Sequence, residues 1–295
     1  MNDFQFFKEE HQELNEQLNF IGKKVDDYEE DLQKIINKTY ITPVTTGIAQ
    51  LDPHFNMFMG MLFIVTGYPQ SGKSEFLRFM ACSYICNSRG KVAIFSPESD
   101  TPILMMDIIT TIQALTKYSY QDSKKIANEY FEFIEIRDNK GMPDIQAMMD
   151  SFDDLNERGF NFFIIDPMNW VTSSLYTNQG AFESLRLTLT QLKQFAKRTK
   201  SIVAYVEHPK TPQPNREGEY PPCNIFSVNG GTMHNNKVDG AIILHRQKQE
   251  DEFGKRVSSQ NDPVLCEIGK LKMQRYLGTP SNVVLKFDFK TGIYY

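Results

Sequence analysis

The sequence is short of the residues that mark several protein classes. Its four cysteines, Cys82, Cys86, Cys223 and Cys266, form no CxxC pair and no Cys/His metal spacing. That excludes a disulfide scaffold and a zinc module. Cys82 and Cys86 lie four apart in an apolar stretch and read as buried thiols on a helix. A reduced, intracellular setting is expected, which we take to be the cytoplasm. No stretch of about 18 apolar residues occurs, so no membrane span and no membrane partner are expected. The opening MNDFQFFKEEHQEL carries early acids and no apolar core segment, so neither a signal peptide nor a mitochondrial transit peptide is expected. Positive charge is not in excess: 32 Lys and Arg stand against 37 Asp and Glu, a net charge of −5. Nothing overall advertises a nucleic-acid binder, although a local basic channel inside an acidic shell still holds DNA. Internal repeats and low-complexity tracts are absent, and tryptophan occurs once, at Trp170.

What is present is the composition of a globular protein, with 40% hydrophobic residues over 295 positions. That is enough for one large α/β domain and an appendage. The appendage is residues 1–39. Here Leu14, Leu18, Ile21, Val25, Tyr28, Leu32 and Ile35 recur at alternating spacings of four and three, with charged residues on the other faces. Two placements fit this amphipathic helix: against its own domain, or docked on a neighbouring subunit. Residues 14–35 would span about 30 Å at about 1.5 Å per residue, enough to reach an adjacent protomer.

From residue 40 to 295 short apolar runs alternate with helical stretches. Strands are expected at 62–66, 92–95, 133–135, 160–165, 202–206, 241–244, 265–268 and 283–287. Helices are expected at 73–86, 101–116, 142–158 and 182–200. The alternation predicts a mostly parallel central sheet flanked by helices. The run 160–165 suits a strand covered on both faces. The crowding of the last strands predicts antiparallel hairpins.

One loop carries the chemistry. Gly67-Tyr68-Pro69-Gln70-Ser71-Gly72-Lys73-Ser74 matches G-x-x-x-x-G-K-[ST], between an apolar strand and a helix. Such a loop turns its backbone N–H groups around a β-phosphate, and the following helix offers its positive end to the anion. Lys73 reaches the β- and γ-phosphates, and the Ser74 hydroxyl ligates Mg²⁺. ATP and Mg²⁺ are therefore the expected substrate and cofactor. Glu75, beside the motif, and Arg246 complete the set expected around the nucleotide. Asp166 ends an apolar strand and suits the Walker B acid, which orders the metal's waters. Glu98, just past the 92–95 strand, suits the group that polarises the attacking water. His208, past the 202–206 strand, suits a sensor of the γ-phosphate.

In this order the motifs resemble the RecA-fold replicative helicases of the DnaB type, with likeness to the helicase half of Twinkle and of phage primase-helicases. The matching segments begin with Thr46-Gly-Ile-Ala-Gln-Leu-Asp52 before the P-loop strand. They continue through Ser96-Pro-Glu98, Ile164-Ile-Asp166-Pro-Met-Asn169 and Val206-Glu-His208-Pro-Lys210. The last two are the stretch from Gly230 to Leu244 containing Val238-Asp239, and Lys270-Leu-Lys272-Met-Gln-Arg275-Tyr-Leu-Gly278. The resemblance covers residues 45–290. It implies a homohexameric ring around single-stranded DNA, with ATP between subunits and Arg275 acting on the neighbour's nucleotide. Arginine fingers of this kind contribute roughly 10³ to 10⁵ in rate. Read by itself, Arg275 is a solvated arginine in a hairpin loop. The basic partner of Arg275 is Lys270 or Lys272, because the family's single-residue spacing is widened here. Proline precedes Glu98 where the family carries leucine or phenylalanine. No primase domain is recognised, so primase and polymerase are expected in trans.

Two loops suit the DNA channel, 169–180 and 210–220, with Lys210 and Arg216 as phosphate contacts. Glu217 and Glu219 work against the second. Trp170 suits either a base stack or the core. Two rival readings stand beside the helicase. One is a RecA- or KaiC-like ATPase that binds DNA or protein without unwinding. The other is a loading factor gated by nucleotide.

Overall fold

The computed structural model describes residues 22–136, 144–171, 180–210, 212, 221–246, 249–250, 256–257 and 262–295. The chain divides into two compact units after Thr42. In the first, a 3₁₀ turn (Val25–Tyr28) runs into helix α1 (Glu29–Ile36). The expected longer helix therefore starts, among the described residues, only at Val25. Glycine at position 22 weakens it there, and the Lys24 N–H is taken up by Asp27 Oδ2 at 2.6 Å. Lys34 pairs with Glu30 one turn away at 2.7 Å. Val25, Tyr28, Ile35 and Ile36 are exposed. Leu14, Leu18 and Ile21 lie outside the described residues.

The second unit, Pro43–Tyr295, is an α/β domain. Its elements run β1 (Leu62–Thr66), α2 (Lys73–Ser88), β2 (Lys91–Phe95), α3 (Thr101–Thr116), α4 (Tyr120–Tyr130), β3 (Phe131–Ile134), α5 (Ile145–Glu157) and β4 (Phe160–Ile165). There follow α6 (Ala181–Thr199), β5 (Ile202–Glu207), α7 (Gly231–Lys237), β6 (Gly240–Arg246), β7 (Gln249–Glu250), β8 (Arg256–Val257) and β9 (Val264–Leu271). The chain closes with α8 (Gln274–Leu277), β10 (Asn282–Leu285), β11 (Phe287–Asp288) and β12 (Ile293–Tyr294).

Eight strands form one sheet in the order β10-β9-β6-β1-β5-β4-β2-β3. Every pair from β6 to β3 is parallel, and β9 pairs antiparallel with both β6 and β10. The parallel sheet and the antiparallel end both follow the sequence reading. β1 is buried at all five positions, as a strand covered on both faces must be. On one face, α5 and α6 bring Phe152 and Phe195 against Phe163 of β4, with ring centroids 4.6 and 5.0 Å from it. Each such ring contributes roughly 1.5–3 kcal/mol on leaving water. On the other, α2 buries Phe76, Leu77, Phe79 and Met80. Parallel strands put all their C-terminal tips on one edge, so residues just past β1, β2, β4, β5 and β6 meet there. Among the described residues no helix is long and apolar enough to cross a membrane.

Candidate nucleotide site

The P-loop leaves β1 at Gly67, whose backbone lies at φ +151°. A Cβ there would come within 2.3 Å of the Leu244 carbonyl on β6. Gly72 caps α2 in the left-handed region at φ +94°. Gln70 also adopts positive φ, at 66°. This winding turns the loop in on itself, and the 16-residue helix α2 begins directly at Lys73. Lys73 is buried, and its Nζ donates to the carbonyls of Gly67 at 2.9 Å and Tyr68 at 3.1 Å. Burial pushes its pKa down, opposed by the charges of Asp166 and Glu98 and by Cys223. Ser71 Oγ is buried with no hydrogen-bond partner. An unpaired hydroxyl and a buried cation inside one glycine-bent loop fit the oxygens of a phosphate chain.

Asp166, at the tip of β4, is buried, which raises its carboxyl pKa. A hydrogen bond from Ser74, then the charges of Lys73 and His208, oppose that rise. One hydroxyl beside one carboxylate is the donor set Mg²⁺ accepts, because this ion keeps most of its waters and takes the rest of its shell from phosphates. Among the described residues no group of three or more His, Cys, Asp or Glu side chains is placed to hold a metal by itself.

Glu98 lies in the turn after β2, exposed, and Trp170 Nε1 donates to its Oε1 at 2.9 Å. His208 follows β5. Burial and Lys73 lower its pKa, while Glu98 and Asp166 work the other way. Lys73, Glu98, Asp166 and His208 thus share one electrostatic neighbourhood, from strands adjacent in the sheet. Arg246 ends β6 at the same edge, 3.5 Å from the Gln70 carbonyl, with its guanidinium 5.1 Å from the Phe289 ring centre. Glu75 faces away from the loop onto Arg78, which also holds Asp107 at 2.8 Å.

No family model matches the chain. The Twinkle homolog protein, chloroplastic/mitochondrial, of Arabidopsis thaliana is 27% identical over 268 residues, which is 85% of this chain and 36% of that protein. Among solved structures, an ATPase domain determined by itself superposes with a TM-score of 0.68 at 14% identity, covering 93% of this chain and 99% of that one. A DnaB-like replicative helicase, solved for its interactions with primase, gives 0.67 at 15% identity over 99% of this chain and 72% of that one. The chain has a RecA-like ATPase domain with the fold of DnaB-type helicases.

Within this RecA-like frame the remaining candidates separate. Arg275 is exposed on α8, a single helical turn between β9 and β10 anchored by buried Leu277. The turn replaces the open hairpin loop expected from sequence. Lys272 sits beside it, 3.2 Å from Asp239 Oδ1, and Asp239 also accepts the Leu62 N–H at 3.0 Å and pairs with Lys193. Leu62 opens β1, whereas the P-loop follows its far end, so about 13 Å of strand separates Lys272 from its own P-loop. Lys270 points elsewhere, onto the Asn235 carbonyl. Lys210 is exposed after β5. Arg216 and most of both candidate DNA loops lie outside the described residues.

Sequence reading missed four participants. Tyr294 Oη donates to the Gly72 carbonyl at 3.1 Å and stacks edge-on against Phe76. Tyr68 Oη donates to the Pro221 carbonyl at 2.8 Å. Cys223, buried, faces Thr66 and Lys73. Glu207 lies next to His208 with its carboxyl raised to about 7 by burial. None lies in a motif, and each is brought to the loop by tertiary structure.

Proposed function

We propose that this domain is the motor core of an ATP-driven replicative DNA helicase, translocating on single-stranded DNA as a homohexameric ring. The observation that carries the reading is the split between two ends of the sheet. Lys73, Ser74, Asp166, Glu98 and His208 gather at the P-loop, while Arg275 stands exposed at the opposite end. A cation there serves a nucleotide only if that nucleotide belongs to another subunit, which is the logic of a ring with ATP between protomers. The Twinkle homolog's name and the fold shared with the DnaB-like helicase point the same way.

In this scheme Gly67 to Ser74 bind the ATP phosphates, and Arg246 with Phe289 flanks the nucleotide's far side. Mg²⁺, held by Ser74 with Asp166 ordering its waters, neutralises charge on the β- and γ-phosphates. Glu98 orients the attacking water and takes its proton. His208 registers the γ-phosphate, and Arg275 stabilises the transition state in trans. Lys210, and Arg216 beyond it, contact DNA phosphates. The N-terminal helix joins subunits, and primase and polymerase come from other chains. The chain spans 36% of its Twinkle relative, so these further partners are proposals. The compartment is a reduced one that holds DNA, with the cytoplasm as our reading of the cysteines.

Strand displacement from a forked duplex with ATP and Mg²⁺ tests the reading. Displacement that stops with a non-hydrolysable ATP analogue supports it. DNA binding without displacement supports the RecA- or KaiC-like alternative instead.

A further inference from the structure

We propose that Trp170 is a positioning residue for hydrolysis, holding the Glu98 carboxylate in place from the Walker B side. The proposal rests on Glu98 being the water-orienting group. Glu98 is exposed, on a short turn closed by Ser99 N–H to Ser96 O at 3.1 Å and by a 2.8 Å contact between their hydroxyls. A glutamate at such a place samples many rotamers, and ordering it for in-line attack costs entropy. The structure supplies one fixed partner, the indole of the sole tryptophan. Trp170 Nε1 donates to Glu98 Oε1 at 2.9 Å.

The indole is itself anchored. It ends the 3₁₀ turn Met168–Trp170, which starts two residues after Asp166; Met168 is buried, and the Val171 N–H closes the turn on Met168 O at 3.0 Å. The ring packs on the large core cluster between the sheet and α5 and α6. The Asp166 N–H in turn donates to Phe95 O at 2.9 Å, joining the tips of β4 and β2. The metal-ordering acid and the indole therefore belong to one rigid corner. Through the indole, that corner fixes the carboxylate on the neighbouring strand tip. The indole N–H occupies Oε1 and leaves Oε2 to accept from water. Aromatic rings lose little freedom on ordering, so a tryptophan suits this task better than a flexible donor.

Trp170→Phe keeps the ring and removes the donor. Loss of a hydrogen bond to a charged group lowers kcat by roughly tenfold to a hundredfold. KM for ATP stays within about twofold, because the bond acts on the transition state and not on binding. If Trp170 acts through Glu98, the double variant with Glu98→Gln is no slower than Glu98→Gln alone. A second readout needs no change at Trp170: Glu98→Gln shifts the emission of the single tryptophan. A Trp170→Phe enzyme with wild-type kcat beside an inactive Glu98→Gln overturns the positioning role and leaves Glu98 as the base. Additive losses, or an emission spectrum indifferent to Glu98→Gln, overturn it as well. Full turnover by Glu98→Gln removes the reading of Glu98 and the positioning role together.

Discussion

Lys272 stands 3.2 Å from Asp239, at the end of β1 away from the P-loop. The contact fixes where the basic element beside Arg275 lies: behind its own nucleotide site, held by a buried carboxylate that also takes Lys193 and a backbone N–H. From there neither cation serves the ATP of its own subunit.

Mixing therefore rescues activity. Lys73→Ala and Arg275→Ala proteins are each expected to hydrolyse ATP at least about a hundredfold slower than wild type. Mixed in one assembly, they form some interfaces with an intact P-loop facing an intact arginine, and turnover returns in part. Turnover measured against mixing ratio checks this. An Arg275→Ala protein should still bind nucleotide with near wild-type affinity.

Asp166→Asn keeps shape and removes the charge facing Ser74 and Lys73. Turnover is expected to fall on the order of a hundredfold, with the Mg²⁺ concentration for half-maximal rate raised. Chelation of Mg²⁺ in the wild type should stop turnover, and titrating the metal back in both proteins measures the difference.

Tyr294→Phe deletes the hydroxyl that meets the Gly72 carbonyl but keeps the ring against Phe76, Phe79 and Phe287. A loss of about 1 kcal/mol in stability is expected. Nucleotide affinity should weaken several-fold, since Gly72 shapes the loop. Thermal melts with and without ATP separate the two effects.

Glu207 gives a pH signature. Burial raises its carboxyl from 4.5 in the open chain to about 7 in the fold. The native state thus holds a proton that the unfolded chain releases between those values. The stability this contributes is full below 4.5 and is lost as pH rises through about 7, a change of at most about 3 kcal/mol. Glu207→Gln should flatten that part of the stability curve relative to wild type, as chemical denaturation at pH 5 and pH 8 would record.

Legibility followed range along the chain. The P-loop, Asp166 and the parallel strands are local patterns, a glycine pair, a lysine and apolar runs, and they were readable directly. Helix α4 was not, because its sequence YQDSKKIANEY buries only Ser123 and Ala127 and shows no apolar stripe; it is set by the Ser119 cap. Helix α8 is one turn, too short for periodicity. The contacts that shape the site are long-range: Trp170 meets Glu98 across 72 residues, and Tyr294 meets Gly72 across 222. No motif encodes such pairs; the sheet order creates them.

The measurement that bears most directly on the central claim is ATP turnover with and without single-stranded DNA, on particles whose mass is read by light scattering in ATP and Mg²⁺. The account predicts an assembly of about six subunits with DNA-stimulated turnover, lost in Arg275→Ala while nucleotide binding is kept. A monomer whose turnover ignores DNA would contradict it.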